Sequence, residues 1–215
     1  INFDEKGTIC GQPLILMSQL AGEVVLNPKD LYLWINELAW ALRAVHKREV
    51  DAFSWEYFTY EDVSTFGVPS WTTVPDDWQR TLKIVQGPRP NFIPRFIHRD
   101  YHPANVLFKE GRVSGIVDWV NACLGPVGID VGHCRVNLAL LYDVQAADQF
   151  LSAYKREAGN HFTYNACWDI LSGFDILADR MTVFPGWAAF GVTGLTNEMM
   201  EERLDVYVKS LVKRL

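Results

Sequence analysis

The segment Phe96-Ile97-His98-Arg99-Asp100-Tyr101-His102-Pro103-Ala104-Asn105 sets a histidine, an aspartate and an asparagine in the spacing H-x-D-x-x-x-x-N, and Asp118 follows thirteen residues after the asparagine. Val106-Leu107-Phe108 is an apolar run, Lys109-Glu110-Gly111-Arg112 is a polar turn containing glycine, and Val113 to Val117 runs back toward Asp118. Such a pattern predicts a β-hairpin. At its mouth, Asp118 ends one strand across from Asn105 at the start of the other, so two oxygen-bearing side chains reach one ion beside a second carboxylate.

That set of groups suits phosphoryl transfer. The reaction asks a protein mainly for in-line positioning and neutralisation of charge on the phosphate oxygens. Asp100 is placed to orient an acceptor hydroxyl and take its proton. Asn105 offers a neutral oxygen and Asp118 a charged one, both hard ligands suited to Mg2+ against the phosphates of ATP. No thiol or imidazole ligand is needed. A lone His-x-Asp is common, and His98 by itself reads as a packed or capping residue. Four fixed positions joined by a hairpin carry the catalytic reading.

H-x-D-x-x-P-x-N followed by Ile116-Val117-Asp118-Trp119 and by Gly125-Pro126-Val127-Gly128-Ile129-Asp130 resembles the aminoglycoside phosphotransferase and choline kinase family. The resemblance implies an α+β, protein-kinase-like C-terminal lobe, mostly helical around the catalytic hairpin. It implies a catalytic set of His98, Asp100 and Asp130, with Asn105 and Asp118 as the metal ligands. Asp130 would brace the catalytic loop, a role compatible with its alternative reading as an acid favoured at a helix N-terminus. Three positions depart from the commonest form: Arg99 and Ala104 where glycine is usual, and Asn121 where an acid is frequent. His-Arg-Asp also occurs in regulated protein kinases, but eleven residues between Asp118 and Asp130 are too few for a long regulatory loop. A small-molecule acceptor follows.

Residues 13–22 resemble the family's hinge, an apolar strand running into a small polar turn. On that match Met17 lines the back of an ATP pocket, Ser18 and Leu20 face the adenine edge with their backbone, and Leu107 and Val117 form its floor. Without the match the segment reads as an ordinary buried strand. Residues 1–22 are thus the end of an N-terminal lobe and hinge, and residues 23–215 the helical lobe with the acceptor pocket. Only twelve residues precede Pro13, and Lys6 lacks the setting of a phosphate-gripping strand lysine. The expectation is a lobe of a larger enzyme, inactive alone, with the strand at 14–17 left as an unpaired edge. The alternative from another class is a noncatalytic small-molecule-binding module that keeps this lobe.

Asn27-Pro28-Lys29-Asp30 predicts a helix capped by Asn27, with Pro28 at its first position, running to about His46. Leu31, Ile35, Leu38, Leu42 and Val45 form its apolar stripe. His46 reads as packing under the catalytic loop. Further helices are predicted over 76–85, 131–142, 146–158, 164–181 and 198–215. The aromatic connection 51–75, with Trp55, Tyr57, Phe58, Tyr60, Phe66 and Trp71, is either a cage for a cationic acceptor or a loop packed on the core. Asp169, Asp175, Asp179, Glu198, Glu201 and Glu202 are available to a cationic substrate, against the plainer reading as solvated helix faces.

With 215 residues, 49% of them hydrophobic and 13% aromatic, the chain can bury a sizeable core. A net charge of -6 and a pI near 5.4 argue against nucleic-acid or anionic-membrane partners. No apolar run approaches a membrane span. Cys10, Cys123, Cys134 and Cys167 lack metal-ligand spacing, and a chain of this size needs no disulfide staples, which fits a cytoplasmic setting. Oligomeric state and the identity of the acceptor are not legible.

Overall fold

A computed structural model describes residues 2–50, 53–177 and 180–215. Three small antiparallel sheets flank a larger helical body, so the fold is α+β and mostly helical. The predicted hairpin forms from β5 (Val106–Lys109) and β6 (Arg112–Ile116), with Val106 opposite Ile116 and a bulge between Leu107 and Phe108. Its turn has positive φ at both Glu110 and Gly111, the geometry that matches strand twist in two-residue hairpins. β3 (Glu23–Val24) pairs with the outer edge of β5.

β2 (Leu14–Leu16) is not an unpaired edge. It pairs antiparallel with β1 (Asn2–Asp4), and the chain turns between them through Gly7 and Gly11, both at positive φ. The third sheet joins β4 (Arg95–Ile97) to β7 (Cys123–Gly125) and so ties the two ends of the catalytic segment together.

Helix α1 (Leu31–His46) begins three residues later than a cap at Asn27 would place it. Its cap is Asp30, whose carboxylate accepts from Leu33 N at 2.9 Å. A charged oxygen in that position satisfies an orphan amide and also meets the positive end of the helix dipole. The stripe residues Ile35, Leu38, Leu42 and Val45 are buried as the spacing requires. Helix α2 (Pro75–Val85) matches its prediction within a residue.

Helix α3 (Val127–Leu141) starts four residues before the predicted 131, because Pro126 serves as its N-cap. It is buried nearly all round, between α4 (Val144–Ala158), α5 (Ala166–Asp175) and α7 (Asn197–Val212), with the short α6 (Gly186–Ala189) before α7. A Cβ on Gly132 would stand 2.8 Å from the Trp168 carbonyl oxygen, and one on Gly128 2.3 Å from the Trp168 ring. Only glycine lets α3 and α5 approach this closely. Helix α5 ends at Asp175 rather than near 181, and Asp179 lies outside the described residues.

Asp169 is not available to a substrate. It is buried against Arg135, whose guanidinium donates to Asp169 Oδ2 at 2.5 Å, to Asp148 Oδ1 at 2.7 Å and to the Tyr164 hydroxyl at 3.1 Å. The Tyr207 hydroxyl donates to the other Asp169 oxygen at 3.0 Å. One ion pair therefore locks α3, α4, α5 and α7 together. Among the described residues no helix is long and apolar enough to cross a membrane, and all four cysteines are free thiols.

Removing one member of such a pair strands a buried charge, whereas removing both leaves an apolar gap of tolerable energy. Arg135→Met is expected to lower unfolding free energy by about 3–5 kcal/mol, and adding Asp169→Leu to recover much of that loss. Urea unfolding of the single and double variants checks both.

Candidate active site

The catalytic loop leaves β4 at His98 and is held from beneath by α3. Asp130, fully buried in the first turn of that helix, accepts from the backbone amide of His98 at 2.8 Å and from that of Arg99 at 2.6 Å. The ring of His46, at the end of α1, reaches the same carboxylate with Nε2 at 2.9 Å, and its Nδ1 lies 2.6 Å from the Tyr154 hydroxyl. In the tautomer that carries its proton on Nε2, His46 donates to the carboxylate and accepts from the tyrosine hydroxyl at Nδ1.

Aiming two successive amides at one carboxylate forces Arg99 to φ 70, a left-handed conformation that glycine adopts without strain. Here the side chain offsets that strain. The Arg99 guanidinium lies 3.8 Å from the ring centre of Tyr60, 4.3 Å from that of Phe58 and 5.2 Å from that of Tyr57, and it donates to the Phe58 carbonyl. The cage predicted as one reading of the aromatic connection exists, and its guest is the chain's own arginine. Phe66 and Trp71 pack on the core, and Trp55 is exposed.

His98 is buried, with Nε2 donating to the Val117 carbonyl at 2.8 Å and Nδ1 accepting the Asp100 amide at 3.3 Å. Both its nitrogens are occupied by backbone, and it lies beneath the loop. Asp100 faces outward with its side chain 29% exposed. Its Oδ1 is 3.0 Å from Nε2 of His133 and 3.7 Å from Nε2 of His102. Burial pushes the Asp100 carboxyl up, but the hydrogen bond and charge of His133, with smaller contributions from His102 and His98, hold it below the usual carboxylate range. His102 itself is pushed down to about 4, chiefly by burial. It is neutral at pH 7, so the contact with His133 is the one that matters.

Asn105 closes a single 3-10 turn, Pro103–Asn105, and is nearly buried. Its amide nitrogen donates to the Asp100 carbonyl at 3.0 Å and approaches Asp100 Oδ2 at 3.4 Å. Among the described residues its side-chain oxygen accepts no hydrogen bond. The Val117 amide donates to the Asn105 carbonyl at 2.9 Å, which brings Asp118 to the hairpin mouth. Asp118 has φ 65 and an exposed carboxylate that makes no cap hydrogen bond. An amide oxygen and an exposed carboxylate are both hard oxygen donors, the chemistry that suits Mg2+.

The residues expected to line a nucleotide pocket are brought together in part. Leu107 pairs across the hairpin with Gly115, and Leu20 packs over that glycine, its Cδ1 2.8 Å from where a Cβ would stand. The Ser114 hydroxyl donates to the Ala21 carbonyl at 2.6 Å and fastens this segment to the hairpin. Val117 is half-buried, whereas Met17 and Ser18 are exposed.

Sequence reasoning missed His133. Its signal was the three-residue step from Asp130 on one helix, legible only if the helix is started before Asp130. Of the acidic residues assigned to the acceptor side, Asp175 stands apart: Oδ1 is buried with no hydrogen-bond partner among the described residues, and burial pushes the carboxyl up to about 6 against the charges of His133, Arg99 and Arg89. Asp175 is the last residue of α5. Glu198, Glu201 and Glu202 sit in the first turns of α7, where Glu198 is held low by its own backbone amide and by Thr196.

Residues 1–169 match the sequence profile of the phosphotransferase enzyme family, APH. A homoserine kinase of Methylocella silvestris is 39% identical over 54 residues, 25% of this chain and 17% of that protein. A homoserine kinase of Rhizobium meliloti is 26% identical over 144 residues, 60% of this chain and 42% of that protein. The chain thus spans less than half the length of these curated relatives. Among solved structures it resembles a Ralstonia eutropha protein assigned to the aminoglycoside phosphotransferases, with a TM-score of 0.61 and 14% identity over 99% of this chain and 77% of that one. It also resembles a thermostable variant of aminoglycoside phosphotransferase APH(4)-Ia in complex with AMP-PNP and hygromycin B, with a TM-score of 0.56 and 17% identity over 89% of this chain and 70% of that one. At these identities the structural likeness is one of fold. With the profile matching most of its length and the fold of these enzymes beneath its loop, the chain belongs to the phosphotransferase enzyme family.

Proposed function

We propose that this chain carries the catalytic loop and acceptor pocket of an ATP- and Mg2+-dependent phosphotransferase acting on a hydroxyl of a small cationic molecule. One observation carries the reading: Asn105 turns its amide nitrogen to Asp100, while its backbone carbonyl takes the Val117 amide and so sets the exposed Asp118 at the mouth of the same hairpin. The arrangement separates an acceptor side from a metal side within one short loop. Asp100 orients the acceptor hydroxyl and takes its proton as the phosphoryl group leaves for the oxygen. Asn105 and Asp118 hold Mg2+, which when bound neutralises charge on the phosphates. His98 and Asp130 position the loop. Leu20, Leu107 and Val117 line the adenine side, with Met17 and Ser18 at its rim.

The cationic acceptor follows from Asp175. A buried, unpartnered carboxylate oxygen opposes folding, and a residue that does so beside a catalytic loop is suited to receive an ammonium group from the acceptor. With Arg99 filling the aromatic cage, carboxylates are left to recognise positive charge.

In the full-length protein, Asp100→Asn is expected to lower kcat by about 10²–10⁴-fold while Mg-ATP still binds, because the lost group touches the acceptor and not the metal. Asp118→Ala is expected to weaken Mg2+-dependent nucleotide binding as well. Calorimetric titration with ATP, with and without Mg2+, separates the two, and equal losses in both variants would refute the division of roles.

Asp175 makes a second prediction, with its sign fixed by the raised folded-state value. Since the folded protein binds this proton up to about pH 6 and the unfolded chain releases it near 3.8, the carboxylate destabilises the fold above pH 6 and is neutral in effect below 3.8. Asp175→Asn is therefore expected to gain on the order of 2 kcal/mol at pH 8, shrinking to nothing toward pH 4. The same variant is expected to raise KM for cationic amino-alcohol or aminoglycoside acceptors and to leave KM for ATP unchanged. Thermal unfolding across pH and steady-state kinetics with charged and neutral acceptors check the two halves.

A further inference from the structure

We infer that His133 is a positioning residue for Asp100, holding one carboxylate oxygen so that only the other faces the acceptor; the inference rests on the phosphotransferase reading above. Three observations converge on it. His133 lies three residues after Asp130, on the same face of α3, so one helix grips the loop twice: Asp130 takes the backbone amides of His98 and Arg99, and His133 meets the side chain of Asp100 at 3.0 Å. The contact is made to Oδ1 alone.

His102 acts in the same direction. Its Nδ1 accepts the Ala104 amide at 3.3 Å, so in the neutral ring the proton resides on Nε2, the atom 3.7 Å from that same Oδ1. Nε2 of His133 thus meets this oxygen at 3.0 Å, and that of His102 stands farther off at 3.7 Å. The other oxygen, Oδ2, has only the long 3.4 Å approach of Asn105, and retains the capacity to accept a proton from a hydroxyl.

Ligand atoms of Asp100, His102 and His133 lie within 4.8 Å of one another, a spacing that would also suit a transition metal. The His102 contact argues against that use. A metal would need the lone pair of Nε2, which moves the proton to Nδ1 and sets it against the Ala104 N–H. The geometry is that of a clamp on a carboxylate, with an imidazole donor from α3 as its short arm.

Fixing the carboxylate matters because phosphoryl transfer depends on alignment. A misplacement of about 1 Å in a reacting group is enough to lose on the order of 10²-fold in rate. With Oδ1 held, rotation of the Asp100 side chain is stopped and Oδ2 stays in line with the acceptor oxygen.

The test compares His133→Gln with His133→Asn in the full-length enzyme. The glutamine amide reaches the position of Nε2, whereas the asparagine amide, one methylene shorter, does not. The expected result is a kcat within a few-fold of the parent for Gln and a loss toward 10²-fold for Asn, with KM for Mg-ATP unchanged in both. In an Asp100→Asn background, replacing His133 is expected to have no further effect, as for residues acting as one unit. Equal kcat for Gln and Asn, or additive losses in the double variants, overturns the inference. So does one-to-one Zn2+ binding by the parent that His133→Asn abolishes, which would make the cluster a metal site. Full activity of Asp100→Asn alone would instead refute the phosphotransferase assignment of the loop, so the two failures are distinguishable. Should His133→Asn fold poorly, the Gln variant and its double with Asp100→Asn still decide the matter.

Discussion

A single carboxylate, that of Asp130, organises the catalytic half of this protein. It is fully buried and accepts three hydrogen bonds, from the amides of His98 and Arg99 and from His46. An unpaired charge at such depth would be severely unfavourable, so the loop, the end of α1 and the start of α3 hold their positions only together. Tyr154 extends the chain of donors into α4 through His46. The loop thereby takes its shape from the helical body, although it stands at the surface.

The helical body is in turn fixed by close approach and by one buried ion pair. Gly128 and Gly132 let α3 lie against the backbone of α5 near Trp168, and Arg135 with Asp169 joins four helices. Both devices sit on α3, the helix that also carries Asp130 and His133. The buried devices are concentrated where the loop is gripped, while the segment at 17–20 is left exposed. A firmly held loop suits a family whose chemistry depends on alignment.

Much of this was legible from sequence. The hairpin that joins Asn105 to Asp118 could be found because a two-residue turn at Glu110-Gly111 leaves little freedom in register. Helix α1 was legible from its stripe, but its start was misplaced because Asn27-Pro28 and Asp30 are competing caps, and only the folded chain shows that Asp30 reaches Leu33. In α3 the sequence misled for a clearer reason. The helix was expected only from 131, past Gly125-Pro126 and Gly128, yet the proline caps it and Gly128 serves tertiary packing. That shift hid the relation between Asp130 and His133. Arg135 and Asp169 were equally hidden, since a charge that finds its partner thirty-four residues away looks like a solvated face until the helices are assembled.

Arg99 also changes what the aromatic segment is able to do. Because it is covalently attached and already inserted among Tyr57, Phe58 and Tyr60, it acts as a tethered ligand whose effective concentration exceeds that of any diffusing amine. A soluble cation would have to displace it and, in doing so, would release the ring contacts and the hydrogen bond to the Phe58 carbonyl that hold the side chain of the left-handed residue 99. The rings therefore serve as an intramolecular clasp, closed by the same side chain whose backbone makes the turn.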